Sequence, residues 1–226
     1  MSAGSVADAL FEDDTAHLRW VDVDTGSWLP GRRVLLPPQL CVYVPGAGRI
    51  HVDMSADSLR ECPSIETDMP VRRHYESLML AHYGLVPYWG MPGGVSFPPL
   101  IDADSEREQR KSIEQCHLRS AREVHGYEVL AADEEALGHV EGLVINSDLW
   151  QVSAVLIDTR NWFPGGRKVA IPWRWVTTID WQSHRVRIRL PAAAIDDAPQ
   201  HSLVEPEVYH SFTESLFDRY GPAARR

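Results

Sequence analysis

Two stretches of the chain repeat one pattern of apolar and polar positions. Residues 21–37 and 155–172 each contain an apolar run, Asp-Thr, a Trp, Pro-Gly, a basic pair and a second apolar run. The β-branched residues of these runs suit strands, and Asp or Thr can bond the backbone just beyond a strand and end it. Proline followed by glycine favours a type II turn, because glycine tolerates the positive φ required there. The pattern therefore predicts two antiparallel strand pairs, each with a Trp at its corner.

The repeat extends beyond these stretches. Gly4-Ser5-Val6 corresponds to Gly138-His139-Val140, an offset of 134 residues that becomes 135 after Gly166. Alternating apolar and polar positions near 50–54 and 186–190 predict a further strand in each copy. A helix is expected to close each copy, ending near Gly84 in the first and spanning 206–220 in the second. The apolar stripe of the first helix is predicted to consist of Val71, Tyr75, Leu78, Met79 and Tyr83.

The sequence thus predicts a mainly β protein with peripheral helices, built from two small antiparallel β-barrels in tandem, each closed by a C-terminal helix. We expect a first repeat at 1–84, a Pro/Gly-rich and then charged linker at 85–115, a second repeat at 116–221 and a tail at 222–226. The second copy opens with a strand within 118–129 that has no counterpart before Gly4. The first barrel should therefore expose an edge, filled by the linker, by the second copy or by another chain in a homodimer. A start codon upstream of Met1 is the alternative.

Ten residues form the repeated motif. They are Asp24, Thr25, Trp28, Pro30 and Gly31 in the first copy, and Asp158, Thr159, Trp162, Pro164 and Gly165 in the second. We interpret both aspartates as turn caps rather than acid–base groups, because every copy needs its turn whereas an active site is seldom duplicated so symmetrically. Each Trp is interpreted as a plug for the end of a small barrel.

Composition and charge exclude several classes of function. The formal net charge is −10, which opposes general affinity for nucleic acid and for anionic lipid surfaces. Three cysteines without Cys-x-x-Cys spacing suit a reducing compartment, and the amino terminus lacks a signal-peptide pattern, so we expect a cytoplasmic protein. Glycines and prolines interrupt the uncharged stretch 77–101, which predicts that it does not insert into a membrane.

Candidate chemistry is sparse. The common nucleotide-binding, metalloprotease and nucleophile-elbow motifs are missing from the sequence, so we expect no catalytic residues and no cofactor. The one group considered for a metal consists of Cys116, His117, His125, Asp133 and His139. Its spacings fit no standard site, and we predict no bound metal.

Tryptophan is the more informative residue. Four of the eight fall within residues 162–181, more than a small barrel has room to bury. We hypothesise that Trp173 or Trp175 contributes to an exposed aromatic patch for a protein partner, a hypothesis that fails if both indoles are buried.

The chain resembles the PRC-barrel domain in both copies, nearly throughout apart from the linker, and its tandem arrangement is similar to two-barrel bacterial proteins. The resemblance rests on Arg119–Val129, on Leu137-Gly138-His139-Val140, and on the stretch 155–172 with its Asp-Thr-x-x-Trp-x-Pro-Gly element. Members of this family are small β-barrels. They include the cytoplasmic part of the photosynthetic reaction centre H subunit and the C-terminal domain of the ribosome maturation factor RimM. The chain departs from the H subunit in having no transmembrane helix, and from RimM in having no separate amino-terminal barrel.

The resemblance implies a non-enzymatic docking or assembly module that binds another protein or complex. A photosynthetic or other membrane electron-transfer complex is one expected partner, with peripheral membrane association through that partner and no direct contact with nucleic acid. Two alternatives stay open: a ligand-binding or catalytic barrel that uses the cleft between the repeats, and a ribosome-associated factor by analogy with RimM.

Overall fold

A computed structural model describes residues 4–63, 73–89, 118–160 and 167–196. The chain divides into a first unit, Met1–Leu10 with Arg19–Leu118, and a second unit, Phe11–Leu18 with Arg119–Arg226. Strands dominate the described residues and helices are few, which confirms the predicted mainly β class. The predicted helix at 206–220, the tail and most of the linker lie outside the described residues.

The first half of the chain contains two sheets. Its strands are β1 (Ser5–Glu12), β2 (Leu18–Asp24), β3 (Arg33–Leu36), β4 (Cys41–Val44) and β5 (Arg49–Val52). A four-stranded sheet has the order β3-β2-β1-β6, where β6 is the short strand Leu118–Ser120, and β4 and β5 form a separate two-stranded sheet. A single 3-10 turn, Pro38–Leu40, connects β3 to β4. Consequently β1 has a neighbour on each side, whereas β5 has β4 alone among the described strands.

In the first unit, two helices follow among the residues that the structure describes. Helix α1 (Ala56–Glu61) begins at Ser55, whose hydroxyl accepts a hydrogen bond of 3.0 Å from Ser58 N. Helix α2 (Arg73–His82) buries Met79 and Leu80 in the core of this unit.

The predicted stripe of α2 is wrong at Leu78, and its first residue, Val71, lies outside the described residues. Leu78 is exposed, and the buried face instead runs through Glu76, Met79 and Leu80. Met79 and Leu80 lie three and four positions after Glu76, so these three residues share one side of the helix. Leu78 lies outside that face. The reason for the error is that a polar side chain, Glu76, occupies a core position.

The second unit is built on a six-stranded sheet. Its strands are β7 (Glu128–Leu130), β8 (Ala136–Asn146), β9 (Gln151–Asp158), β10 (Lys168–Pro172), β11 (Val176–Asp180) and β12 (Arg185–Ile188). The order is β10-β9-β8-β7-β12-β11, with every described pair antiparallel except β7 and β12, which are parallel. Short helices, Ala121–Val124 and Ala193–Asp196, flank the sheet.

The sheet of the second unit is strongly curved. Its two edge strands, β10 and β11, are connected by the single 3-10 turn Trp173–Trp175, so their ends must lie close together. The described strands do not hydrogen-bond across this gap, and the predicted closed barrel is an open, barrel-like sheet in this part of the chain. The buried residues of this sheet include Val129, Leu137, Ile157, Ile171 and Val186.

The hairpins β4–β5 and β11–β12 share one pairing pattern. Cys41 pairs with Val52 and Val44 with Arg49, as Val176 pairs with Ile188 and Asp180 with Arg185. A bulge between Val176 and Thr178 adds one residue to β11. This residue explains why the offset between the copies grows from 135 to 136 along the hairpin.

Candidate docking surface

The Asp-Thr pair of the first unit holds a turn. Asp24 Oδ1 accepts a hydrogen bond of 2.8 Å from Gly26 N, and the buried Thr25 hydroxyl donates to Leu29 O at 2.7 Å and to Arg32 O at 2.8 Å. Arg32 N bonds back to Leu29 O at 3.1 Å across Pro30 and Gly31. Gly31 has a φ of +73°, which is the conformation that a type II turn requires at its third position.

The second unit repeats this arrangement. Asp158 Oδ1 accepts from Arg160 N at 3.0 Å, and the Thr159 hydroxyl donates to Arg167 O at 2.7 Å and accepts from Arg167 N at 3.0 Å. The Arg160 guanidinium lies against the same carboxylate and holds the pKa of Asp158 at about 2. Trp162, Pro164 and Gly165 lie outside the described residues. In both units the Asp and Thr side chains are occupied by the turn itself.

A glycine supports each corner from the neighbouring strand. A Cβ on Gly4 would lie 2.1 Å from Asp24 O, and a Cβ on Gly138 would lie 2.1 Å from Asp158 O. Both glycines have positive φ, +148° and +143°. The repeated Gly is therefore explained by close backbone approach, together with a φ that other residues rarely adopt.

Trp28 is half-buried, and the Arg60 guanidinium lies 5.3 Å from its ring centre. It therefore contacts α1 through a cation–π interaction.

The hypothesis of an aromatic patch at Trp173 and Trp175 is wrong for Trp175. Only 1% of Trp175 is exposed, while Trp173 is half-buried and packs edge-on against Phe11 with ring centres 5.5 Å apart. The two indoles do not share a strand face, because they lie in the 3-10 turn between β10 and β11. One indole fills the core and the other rests on Phe11, so together they form no exposed patch.

Three consecutive exposed apolar residues lie instead on strand β4. Val42, Tyr43 and Val44 are 59%, 42% and 40% exposed, so the strand shows apolar side chains on both of its faces. The corresponding residues of β11 are Thr178, Ile179 and Asp180, of which the first and last are polar and exposed and Ile179 is buried. The second unit thus keeps the usual alternation of a half-buried strand, whereas the first unit does not.

The neighbouring strand β5 is basic. Arg49 and His51 are exposed and alternate with the half-buried Ile50 and Val52. We call residues 41–52, with both strands and their turn, the β4–β5 hairpin. Neither Arg49 nor His51 forms an ion pair within the described residues, so the hairpin combines apolar surface with available positive charge.

Two buried carboxylates, Glu76 and Asp22, lie in the core of the first unit. The buried Glu76 accepts hydrogen bonds from Trp20 Nε1 at 2.8 Å and from the Tyr88 hydroxyl at 2.9 Å. Asp22 is paired with Arg33, whose Nε lies 3.0 Å from Asp22 Oδ1, but burial still raises the pKa of this carboxyl. Trp20 and Glu76 lie far apart in the sequence, and no local motif predicts their contact.

The two described cysteines are poor nucleophiles. Burial raises the pKa of the Cys41 thiol to about 11 and also raises that of Cys62, whose sulfur lies 2.9 Å from the Tyr83 hydroxyl. A thiol of this kind is neutral at pH 7 and binds metals weakly.

The candidate metal ligands are only partly described, since Cys116 and His117 fall outside the described residues. Elsewhere in the described ranges, groups of three or more His, Cys, Asp or Glu side chains with metal-binding geometry are absent. No described helix combines the length and the apolar character needed to cross a bilayer.

Comparison with known proteins finds a family match in the second unit. Residues 117–195 match the PRC-barrel domain. Among solved structures, a protein described as the 16S ribosomal RNA processing protein RimM from Pseudomonas aeruginosa is similar, with 14% identity and a TM-score of 0.28. That alignment covers 38% of this chain and 58% of the RimM chain. No curated protein matches the sequence.

The matched range coincides with a complete structural element. It begins just before β6, contains all six strands of the large sheet with the Asp158-Thr159 corner and Gly138, and ends within the helix Ala193–Asp196. The match to the PRC-barrel domain therefore covers the large sheet of the second unit together with its Asp158-Thr159 corner.

Proposed function

We propose that this chain is a non-enzymatic docking module that binds another protein through the β4–β5 hairpin of its first unit. The observation that supports the proposal is the exposure of Val42, Tyr43 and Val44 on consecutive positions of one short strand. Clustered exposed apolar side chains are typical of contact sites, whereas single exposed apolar residues are common on any surface. The PRC-barrel domain in the second unit agrees with a binding role.

The absence of catalysis is part of the same proposal. The repeated carboxylates Asp24 and Asp158 cap turns, and the thiols of Cys41 and Cys62 are held neutral by burial. Buried cysteines in the reduced form also suit the cytoplasm, where we propose that the protein acts. Photosynthetic, other electron-transfer and ribosomal assemblies are the partner complexes that the experiment must distinguish.

The second unit supplies the substitution that tests this proposal. Changing Val42→Thr and Val44→Asp gives β4 the residue types found at the equivalent positions of β11. There Asp180 pairs with Arg185, and the carboxylate introduced in place of Val44 would pair with Arg49 in the same way. The hairpin should therefore keep its fold while its apolar surface is lost. Burying a valine contributes about 1.5 kcal/mol, so losing two such contacts should weaken partner binding by a factor of about 100.

The measurement is quantitative recovery of partner proteins on the tagged full-length chain from its native host, followed by mass spectrometry. We expect a stoichiometric partner with the wild type, at least about tenfold less with Val42→Thr/Val44→Asp, and unchanged recovery with the control Leu149→Thr, which removes an exposed apolar residue from the second unit. Equal recovery by wild type and the double variant, with both folded by circular dichroism, would contradict the proposal. So would the recovery of no partner at all.

A further inference from the structure

The second unit shows how a strand can be added to a hairpin of this kind. There, β7 lies beside β12 in parallel orientation, with Glu128 opposite Arg185, Val129 opposite Val186 and Leu130 opposite Arg187. Arg185 Nε donates to Glu128 Oε2 at 2.9 Å, and Glu128 N donates to His184 O at 3.0 Å. Val129 and Leu130 are buried. An acidic residue followed by two apolar residues therefore matches the basic and apolar alternation of β12.

The corresponding edge of the first unit is that of β5, while β6 lies beside β1 on the side that β7 takes beside β8. β5 corresponds to β12 through the common pairing of the two hairpins, so Arg49, Ile50 and His51 take the places of Arg185, Val186 and Arg187. In the part of the chain that the structure describes, β5 is hydrogen-bonded to β4 alone. Within the described ranges no strand pairs with its outer edge, whose backbone donors and acceptors are the groups that an incoming strand would use.

Charge selects what this edge can accept. A basic side chain on an edge strand opposes pairing with neutral or basic strands, and such charges usually protect edges from aggregation. The same charge favours an acidic residue directly opposite, as the Arg185–Glu128 pair shows. The exposed valines of β4 extend the apolar surface next to this edge.

We propose that the outer edge of β5 binds an extended segment of a partner protein, parallel to β5, in which an acidic residue is followed by two apolar residues. The acidic residue lies opposite Arg49 and the first apolar residue lies opposite Ile50. This inference rests on the proposed docking function and specifies the chemistry of the bound segment.

A peptide with the sequence of residues 125–132, His-Gly-Tyr-Glu-Val-Leu-Ala-Ala, is the probe, because it contains the strand that occupies this position in the second unit. We expect saturable binding of the fluorescein-labelled peptide to the full-length chain, measured by anisotropy. Arg49→Glu should weaken binding about tenfold, because an ion pair is replaced by two like charges directly opposite each other. A peptide with Lys in place of Glu128 should bind weakly to the wild type and regain affinity for Arg49→Glu.

Two controls locate the site. Arg60→Glu makes the same change in net charge on α1 of the same unit and should leave peptide affinity unchanged. Hydrogen exchange should show new protection of amides within residues 49–52 when the wild-type peptide is bound. Failure of the peptide to bind, equal binding to Arg49→Glu, or protection confined to other residues would overturn the proposal.

The other possible occupants give different results. Self-association of the chain in analytical ultracentrifugation that is lost in Arg49→Glu would identify a second copy as the occupant and overturn the proposal. Protection of residues 49–52 in the free chain would identify a segment of the chain itself, with the same consequence. Loss of partner recovery in Val42→Thr/Val44→Asp, without peptide binding at β5, would retain the docking function and reject strand addition alone.

Discussion

At the scale of single residues, the repeated motif is explained by the turn that it builds. Thr25 and Thr159 are buried polar residues whose hydroxyls bond to loop carbonyls, and a buried hydroxyl without such partners would be costly. Gly4 and Gly138 leave room for the backbone of the Asp-Thr pair. The Asp, Thr and supporting Gly residues that the structure describes therefore build the turn in both copies, and their recurrence needs no shared chemistry.

Gly138→Ala should destabilise the second unit by about 3 kcal/mol or more, because its Cβ would meet Asp158 O at 2.1 Å and its φ is +143°. The matched control is Gly142→Ala on the same strand, where an added Cβ meets nothing within 4 Å. We expect that variant to lie within about 1 kcal/mol of the wild type. Urea unfolding followed by tryptophan fluorescence measures both, and equal stability of the two variants would contradict the close approach.

Asp158 gives a prediction for acid pH. Its pKa is lowered from 3.8 to about 2, chiefly by its hydrogen bond to the Arg160 guanidinium, so its ionised form is favoured in the folded state. A lowered pKa adds stability above the unfolded value, and that stability is lost as the pH falls from about 3.8 towards 2. Asp158→Asn keeps an oxygen for Arg160 N but removes the charge.

We therefore expect the free energy of unfolding of wild type to fall more steeply than that of Asp158→Asn between pH 4 and pH 2. Because the Arg160 side chain is largely exposed, solvent screens the pair and the difference at neutral pH should be small. Urea titrations at constant ionic strength measure it, with Asp148→Asn as an exposed control. A difference between wild type and Asp158→Asn that is independent of pH would show that the ion pair does not stabilise the fold.

At the scale of elements, the local sequence predicted what depends on neighbouring residues. The strands around both Asp-Thr pairs, the Pro30-Gly31 turn and the helix ending near Gly84 all depend on φ preferences and short-range bonds. Exposure of β4 could not be predicted in this way, because it depends on which distant strands cover each face. One feature of the sequence did indicate this exposure. Strand β4, Cys41-Val42-Tyr43-Val44, contains no charged residue and no threonine, whereas β11 contains both.

The burial of Trp175 illustrates the same limit. Trp175 lies two positions after Trp173, which places both on one side of a strand but not of a 3-10 turn, where the repeat is three residues. Pro172 ends β10 immediately before this turn, and that proline was the available indication. The prediction of a surface at Trp173 and Trp175 assumed a strand where the chain forms a 3-10 turn.

At the scale of the whole molecule, charge distinguishes protein docking from binding to RNA. The chain carries 32 acidic and 22 basic residues, and the basic strand β12 is locally neutralised by the Arg185–Glu128 and Arg187–Glu134 pairs. Arg49 and His51 on β5 are too few to hold an RNA backbone, since neutralising a series of phosphates requires an extended basic surface.

We therefore expect no saturable binding of labelled single-stranded or hairpin RNA at about 150 mM salt, measured by fluorescence anisotropy with a basic protein of similar size as positive control. Binding that weakens steeply with salt would reveal a basic surface, because each phosphate neutralised contributes a slope of about −0.7 for single strands. That result would contradict the charge argument and favour a role in direct contact with RNA. If the chain recovers protein partners and does not bind RNA, its affinity is for the acidic and apolar segments that β5 and β4 are suited to bind. These two strands combine positive charge with exposed valines.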